Sequence, residues 1–188
     1  TYATTINRSI AAYEDNGELA YYLKDGSPGP KMFNFINERD QTGTSNKNMS
    51  INTNLNLNYD FTESLRFQML GSVNIASVIG ESWATERTEY IAQIRNYDYG
   101  TRKPIDADYK NSKLPVGGEY NQDENKAISW NWRNSLSYDV VFNGVHTLTA
   151  MLGIELSSTK NTGFSTTSYG YLRDRGKSFA TVPAVRIN

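Results

Sequence analysis

From residue 49 onward, apolar and polar side chains alternate at every second position. Ile51, Thr53, Leu55, Leu57 and Tyr59 stand against Asn52, Asn54, Asn56 and Asn58. Successive side chains of an extended strand point to opposite faces, so this pattern describes a strand with one apolar face and one wet face. After a break at 60–63, Leu65, Phe67, Met69, Val73 and Ile75 oppose Arg66, Gln68, Ser72 and Asn74. Further along, Ile128, Trp130, Trp132, Leu136, Tyr138 and Val140 oppose Ser129, Asn131, Arg133, Ser135, Ser137 and Asp139. Then Leu148, Ala150, Leu152, Ile154 and Leu156 oppose Thr147, Thr149, Gly153, Glu155 and Ser157. A weaker alternation of Tyr2, Thr4, Ile6 and Ile10 opens the chain. Five strands are therefore predicted, at about residues 1–13, 47–59, 64–79, 126–141 and 146–159.

Strands of ~13–16 residues are long against the ~5–6 usual in globular domains. Tilted near 45°, one would rise on the order of 30 Å, enough for an apolar band of ~25 Å. The connections alternate in length. Residues 60–63 and 142–145 are tight, and Asn143-Gly144 is a strong type I′ hairpin signal. The loops at about 14–46 and 80–125 and the tail 160–188 are long. Short turns on one side and long loops on the other are the habit of outer-membrane barrels. In that frame the second and fourth strands run down, the third and fifth run up, and the tight turns are periplasmic. Within 86–97, Tyr90, Ile91, Ile94 and Tyr97 fall at helical spacing and predict a short helix.

Composition narrows the class. The 188 residues are 38% hydrophobic and 12% aromatic, with 13 Tyr, and the mean hydropathy is −0.61. That suits a β-protein with one wet face, whereas a disordered chain would be poor in aromatics. No apolar run approaches the ~20 residues of a membrane helix, which leaves strands as the means of crossing. The formal net charge of −1 lacks the basic footprint of a nucleic-acid binder. Without cysteine there is no disulfide, thiol nucleophile or thiolate metal site. The chain begins at Thr1 rather than Met, so a processed protein or a fragment of a longer one is expected.

Three groups of residues are candidates for function. Leu55, Leu57, Tyr59, Phe67, Trp130, Trp132, Tyr138 and Leu152 would face lipid, with the aromatics as interfacial girdles. Tyr59, Phe61 and Phe142 mark the tight turns. Asn52, Asn54, Asn56, Asn58, Arg66, Gln68, Asn74, Asn131, Arg133, Asp139 and Glu155 would line a hydrated lumen. Among the loop aromatics, Trp83, Tyr90, Tyr97, Tyr99, Tyr109 and Tyr120 are candidate substrate contacts, with Tyr21, Tyr22, Phe33 and Phe35 beside them. Such rings stack on sugars or grip peptide side chains, but they also pack loops together. A soluble β-sandwich with a buried aromatic core accounts for the same alternation.

Catalysis finds little support. His146 is the only histidine and opens a strand beside a tight turn. Asp106, Asp108, Asp123 and Glu124 lack the glycine-punctuated spacing of a calcium loop and read as solvated charges. No phosphate loop or nucleophile motif is present. No enzyme activity, cofactor or metal is expected.

Two passages carry a family resemblance. Phe35-Ile-Asn-Glu-Arg-Asp-Gln-Thr, followed by the residues 52–70 hairpin with its Tyr-Asp-Phe-Thr-Glu-Ser-Leu turn, resembles the barrel of SusC/RagA-type TonB-dependent transporters of Bacteroidetes outer membranes. Trp132-Arg-Asn-Ser-Leu-Ser-Tyr-Asp and Gly144-Val-His-Thr-Leu-Thr-Ala-Met-Leu-Gly-Ile-Glu are similar to that family's next hairpin. The resemblance spans about residues 34–160. It implies a barrel of about twenty-two strands with an N-terminal plug. It also implies a SusD-type lipoprotein lid, energy from TonB through the plug, and an oligosaccharide or oligopeptide cargo.

The resulting expectation is an all-β chain: about five strands of a larger antiparallel, up-and-down transmembrane barrel, with long extracellular loops. No plug or TonB box is read in the sequence. Five strands do not close so large a barrel, and open edges are not viable in lipid. Remaining strands, outer-membrane lipid, a SusD-type lipoprotein and TonB are the expected partners, with no nucleic acid. The competing expectation is a soluble, secreted carbohydrate-binding β-sandwich that uses its loop aromatics.

Overall fold

The computed structural model describes residues 10–23 and 31–180. The elements run β1 (Tyr22–Leu23), β2 (Met32–Phe33), α1 (Phe35–Gln41), β3 (Thr42–Asp60), β4 (Leu65–Ala84), α2 (Glu89–Arg95), α3 (Ala107–Asn111), β5 (Gly118–Phe142), β6 (His146–Leu172) and β7 (Ser178–Phe179). β1 and β2 form a two-stranded antiparallel ladder. β3 to β7 form one sheet in which every neighbour in space is the neighbour in sequence. This is the open up-and-down antiparallel sheet of a barrel segment.

The strands outrun the alternation that predicts them. β3 has 19 residues, β4 20, β5 25 and β6 27. Residues 160–172, expected as tail, continue β6, and the expected loops 14–46 and 80–125 give up residues to strands at their ends. The extensions are rich in Thr, Ser, Asn and Tyr, and their few buried apolar residues, such as Ala84 and Tyr171, do not recur at every second position, so periodicity does not see them. Ladder hydrogen bonds and β-prone side chains hold them instead. Residues 1–9 of the first predicted strand lie outside the described residues. Of its end, Tyr13 makes an isolated antiparallel bridge to Leu19.

Two units divide the chain. The strand unit comprises Asn46–Ile79 and Asp123–Phe164; the loop unit comprises Thr1–Ser45, Gly80–Gln122 and Ser165–Asn188.

In the strand unit, both tight turns follow from local chemistry. Asn143 (φ 50°) and Gly144 (φ 68°) both adopt the left-handed region that a type I′ turn requires, and the Val145 amide donates to the Phe142 carbonyl at 3.1 Å. In the other turn the Thr62 hydroxyl accepts from the Leu65 amide at 3.0 Å, and Tyr59 meets Phe61 edge-on at 4.9 Å. The two faces are chemically distinct. A Cβ at Gly71 would stand 3.6 Å from the Trp132 ring and 3.9 Å from Leu55, so these three share the apolar face. On polar residues, the Asn74 amide donates to Asn52, and Glu155 accepts from Asn131 (2.6 Å) and from Arg133 (2.7 and 3.0 Å).

The core lies elsewhere. Among the described residues, every buried hydrophobic side chain belongs to the loop unit: Phe33, Ile36, Ala84, Ile91, Ala92, Tyr97, Leu114 and Tyr171. Ala84, Ile91 and Leu114 pack together, with Ile94 against them. The helix predicted within 86–97 is α2. It starts at Thr88, whose hydroxyl accepts from the Ile91 amide, and stops at Asn96 in the left-handed conformation.

Polar anchors fasten the irregular backbone. Arg95 is only 3% exposed, yet its guanidinium is well supplied with acceptors. It donates to the carbonyls of Leu114 (2.8 Å), Gly117 (2.7 Å) and Glu86 (3.2 Å), and to the Glu86 carboxylate (3.3 Å). A buried charge is tolerated only when so paired. Asn34, 1% exposed, caps α1 by accepting from the Ile36 and Asn37 amides. Its own amide donates to the carbonyls of Ala12 (2.9 Å) and Ala20 (2.6 Å).

Asn34→Ala removes the cap and both carbonyl contacts at once. Loss of local stability should be about 2 kcal/mol. Hydrogen exchange at the Ile36 and Asn37 amides should then quicken more than tenfold. Unchanged exchange there would show that Asn34 does not hold α1.

Candidate functional site

Two clefts open in the loop unit. The first, of about 510 Å³, has an apolar wall of Leu19, Tyr21, Met32 and Ala92, with Asn37, Asp98 and Thr101 among its polar lining. The second, of about 620 Å³, is lined by Glu86, Val116, Tyr171, the turn that carries Arg173, Asp174 and Arg175, and β7. Gln41, Arg87 and Tyr99 line both.

The shared wall is built by the turn that precedes α2. The Thr85 amide donates to the Gln41 carbonyl at 2.9 Å, and its hydroxyl to the Gln41 side chain at 2.6 Å, so the turn is tied to the end of α1. The Asn37 amide group then holds the Arg87 carbonyl at 2.9 Å. With its backbone fixed, Arg87 lays its guanidinium over the Tyr99 ring, 5.2 Å from the centroid. Arginine–aromatic stacking keeps the N–H edges free while orienting the plane. On the far side, Asp98 accepts from the Met32 amide at 3.0 Å, linking β2 to the Tyr99 loop. Burial, then the Glu38 charge, raises the Tyr21 hydroxyl above its ordinary pKa, so Tyr21 stays neutral at the first cleft.

The turn between β6 and β7 presents the cations of the second cleft. Gly176 and Lys177 are both left-handed, which reverses the chain tightly. Arg173 donates to the Asp40 carbonyl at 2.6 Å and stacks on Trp83 at 5.9 Å. Lys177 also lies over Trp83, at 5.8 Å, and approaches Glu81 at 3.7 Å.

Of the six loop aromatics expected to meet substrate, Tyr99 lines the clefts. Trp83 is roofed by Arg173 and Lys177, and its indole lies so close to Gly43 that any side chain there would collide with it. Tyr97 is 5% exposed and stacks on Tyr109 at 6.3 Å. Tyr90 donates to Glu119 at 2.9 Å. Tyr120 donates to Glu81 at 2.8 Å and packs on Tyr171 (5.3 Å) and Phe179 (5.9 Å). Tyr21, named beside them, lines the first cleft, whereas Tyr22 and Phe33 meet edge-on at 5.6 Å.

In the strand unit the expected lumen residues Asn52 and Asn74 pair, as do Asn131 and Arg133 with Glu155, and Arg66 with Asp60 at 2.6 Å. Asn54, Asn56 and Asn58 are exposed and Gln68 is half-buried. Leu55, Leu57, Tyr59, Trp130, Trp132, Tyr138 and Leu152 are all exposed, and Phe67 with Leu152 borders a shallow hollow on Leu136 and Ile154. Among the described residues, no group of three or more His, Cys, Asp or Glu is placed to hold a metal. Sequence reasoning missed Arg87, Asp98, Arg173 and Arg175. The one signal was charged residues set beside loop tyrosines, and their convergence depends on α2 and the β6–β7 turn.

No protein-family model matches the chain, and no curated protein sequence matches it. Among solved structures it is similar to a chain of one described as "Structure of the RagAB peptide transporter". The TM-score is 0.52 at 20% identity, over 84% of this chain and 15% of that one. At this identity the likeness is one of fold, and the chain spans only a small part of its neighbour's length. It is compatible with the SusC/RagA-type resemblance of the two hairpin passages.

Tyr120 offers a test of the cluster beside the clefts. Burial first, and then its hydrogen bond to Glu81, push its pKa from about 10 up to about 12. The fold therefore prefers the neutral phenol. Its stabilising contribution is complete below pH 10 and is lost as pH rises through about 12. The phenolate absorbance that Tyr120→Phe removes should titrate near pH 12. If the step that Tyr120→Phe removes lay near pH 10 instead, the packing described would be contradicted.

Proposed function

We propose that this chain is part of a SusC/RagA-type, TonB-dependent importer in a bacterial outer membrane, and that its cargo is an oligopeptide. Oligosaccharide is the alternative cargo. Transport of this kind moves substrate without covalent chemistry, so no catalytic group is required. The long loops would meet substrate at the extracellular mouth, a SusD-type surface lipoprotein would cap it, and TonB would act through a plug domain.

The observation that carries the reading is the bare apolar face of the strand unit. Leu55 is 55% exposed and Leu152 75%, and Leu57, Leu148, Ile154 and Leu156 are exposed with them. A continuous apolar surface marks a membrane or protein contact. The likeness to the peptide transporter supports the barrel setting and favours peptide over sugar. Two open edges also fit: β3 ends the described sheet on one side, and on the other β7 pairs with only Tyr171 and Leu172 of β6. Further strands would close those edges, as lipid demands. A β-sandwich needs a second sheet of comparable size, and the other sheet among the described residues has two residues per strand.

The reading is tested by hydrodynamics. Detergent micelles should disperse the chain as a β-rich species, because they cover its apolar face while leaving its open edges in water, and without detergent it should aggregate. A monodisperse chain that unfolds cooperatively in plain buffer would overturn the proposal.

A further inference from the structure

We propose that the second cleft is a carboxylate-binding subsite, built on Arg87 and Arg175, that selects an acidic residue of a bound peptide. The peptide nature of the ligand rests on the importer reading above; the carboxylate does not.

The cations facing this cleft are only partly matched by anions. Arg87, Arg173 and Arg175 line it together with Glu86 and Asp174. Glu86 is already engaged by the Arg95 guanidinium (3.3 Å) and the Gly117 amide (3.0 Å). Asp174 can offset one of the three arginines. Arg173 donates to the Asp40 carbonyl and also interacts with the Asp40 carboxylate, which partly offsets its charge. Among the described residues, the side chains of Arg87 and Arg175 have no hydrogen bond or ion pair. Arg87 is nevertheless positioned, because its guanidinium carbon lies over the Tyr99 ring and its carbonyl is tied to Asn37. A positioned guanidinium with unused donors is suited to a carboxylate, which it can bind through two parallel N–H bonds.

The neighbouring cleft indicates the rest of the ligand. It shares Arg87 and Tyr99, but its wall is Leu19, Met32 and Ala92. That surface matches an aliphatic or aromatic side chain, while of the carboxylates on its polar side Asp98 is engaged by the Met32 amide and Asp40 by Arg39. A ligand that fills both clefts has an acidic group next to an apolar one, as a peptide with alternating Glu and Leu does.

The probes are two capped peptides, acetyl-Leu-Glu-Leu-Glu-amide and its counterpart with Gln for Glu, titrated calorimetrically into the folded chain in detergent. The acidic peptide should bind roughly tenfold tighter or more, and the gap should shrink with added salt. Arg175→Gln should close most of the gap by weakening the acidic peptide far more than the Gln peptide. Arg175 is exposed and, among the described residues, has no partner to lose, so the variant should fold. Arg87→Gln should have the same effect on the gap. Equal binding of the two peptides would overturn the subsite while sparing the peptide reading. Binding of neither peptide, and of no oligogalacturonate either, would overturn both. An oligogalacturonate that binds through Arg175 where the peptides fail would overturn the ligand class.

Discussion

The strand unit depends on one constraint: its apolar face has no cover from within the described chain. Full burial of a leucine or isoleucine is worth about 1.5–3 kcal/mol. Leu55, Leu57, Leu148, Leu152, Ile154 and Leu156 are all left largely bare. What they forfeit in water is several kcal/mol, comparable with the roughly 5–15 kcal/mol of a whole domain. Ladder hydrogen bonds do not make up the difference, because in water each is exchanged for bonds to solvent. In lipid both terms reverse. The apolar face is solvated by its surroundings, and every backbone hydrogen bond becomes obligatory. Length, alternation and tight turns then serve one purpose.

The loop unit solves a different problem. Its backbone is irregular, so it cannot satisfy its polar groups by ladders alone. Arg95 and Asn34 do this work, each joining stretches distant in sequence through several hydrogen bonds. The small apolar cluster of Ala84, Ile91 and Leu114 supplies the rest. Fixed loops are what a binding surface needs. The stacked Arg87–Tyr99 pair is positioned by the same network, through Asn37 and Gln41.

The two hairpins were the legible part of the sequence. Strand periodicity is local, and Asn143-Gly144 specifies its turn almost unaided. The strand extensions were illegible because a strand wet on both faces has no hydrophobic period. Residues 160–167, nearly all exposed, are the clearest case. The clefts were only partly legible. Counting loop aromatics pointed to Tyr99, but it gave equal weight to Tyr97, which is buried, and to Tyr120, which is bonded to Glu81. What separates them is tertiary: which ring faces a cleft, and which charged partner lies over it. Arg87 and Tyr99 are brought together by the intervening helix α2, a contact that no spacing rule announces.

The most direct measurement places single cysteines along β3, which is clean because this chain has none. Fluorophores at positions 54, 55, 56 and 57, with the chain carried within the complete importer in vesicles, are challenged with lipid-borne and water-borne quenchers. The account predicts alternation: Leu55 and Leu57 positions quenched from lipid, Asn54 and Asn56 positions quenched from water. Quenching from water alone at all four positions, or no alternation, would contradict it.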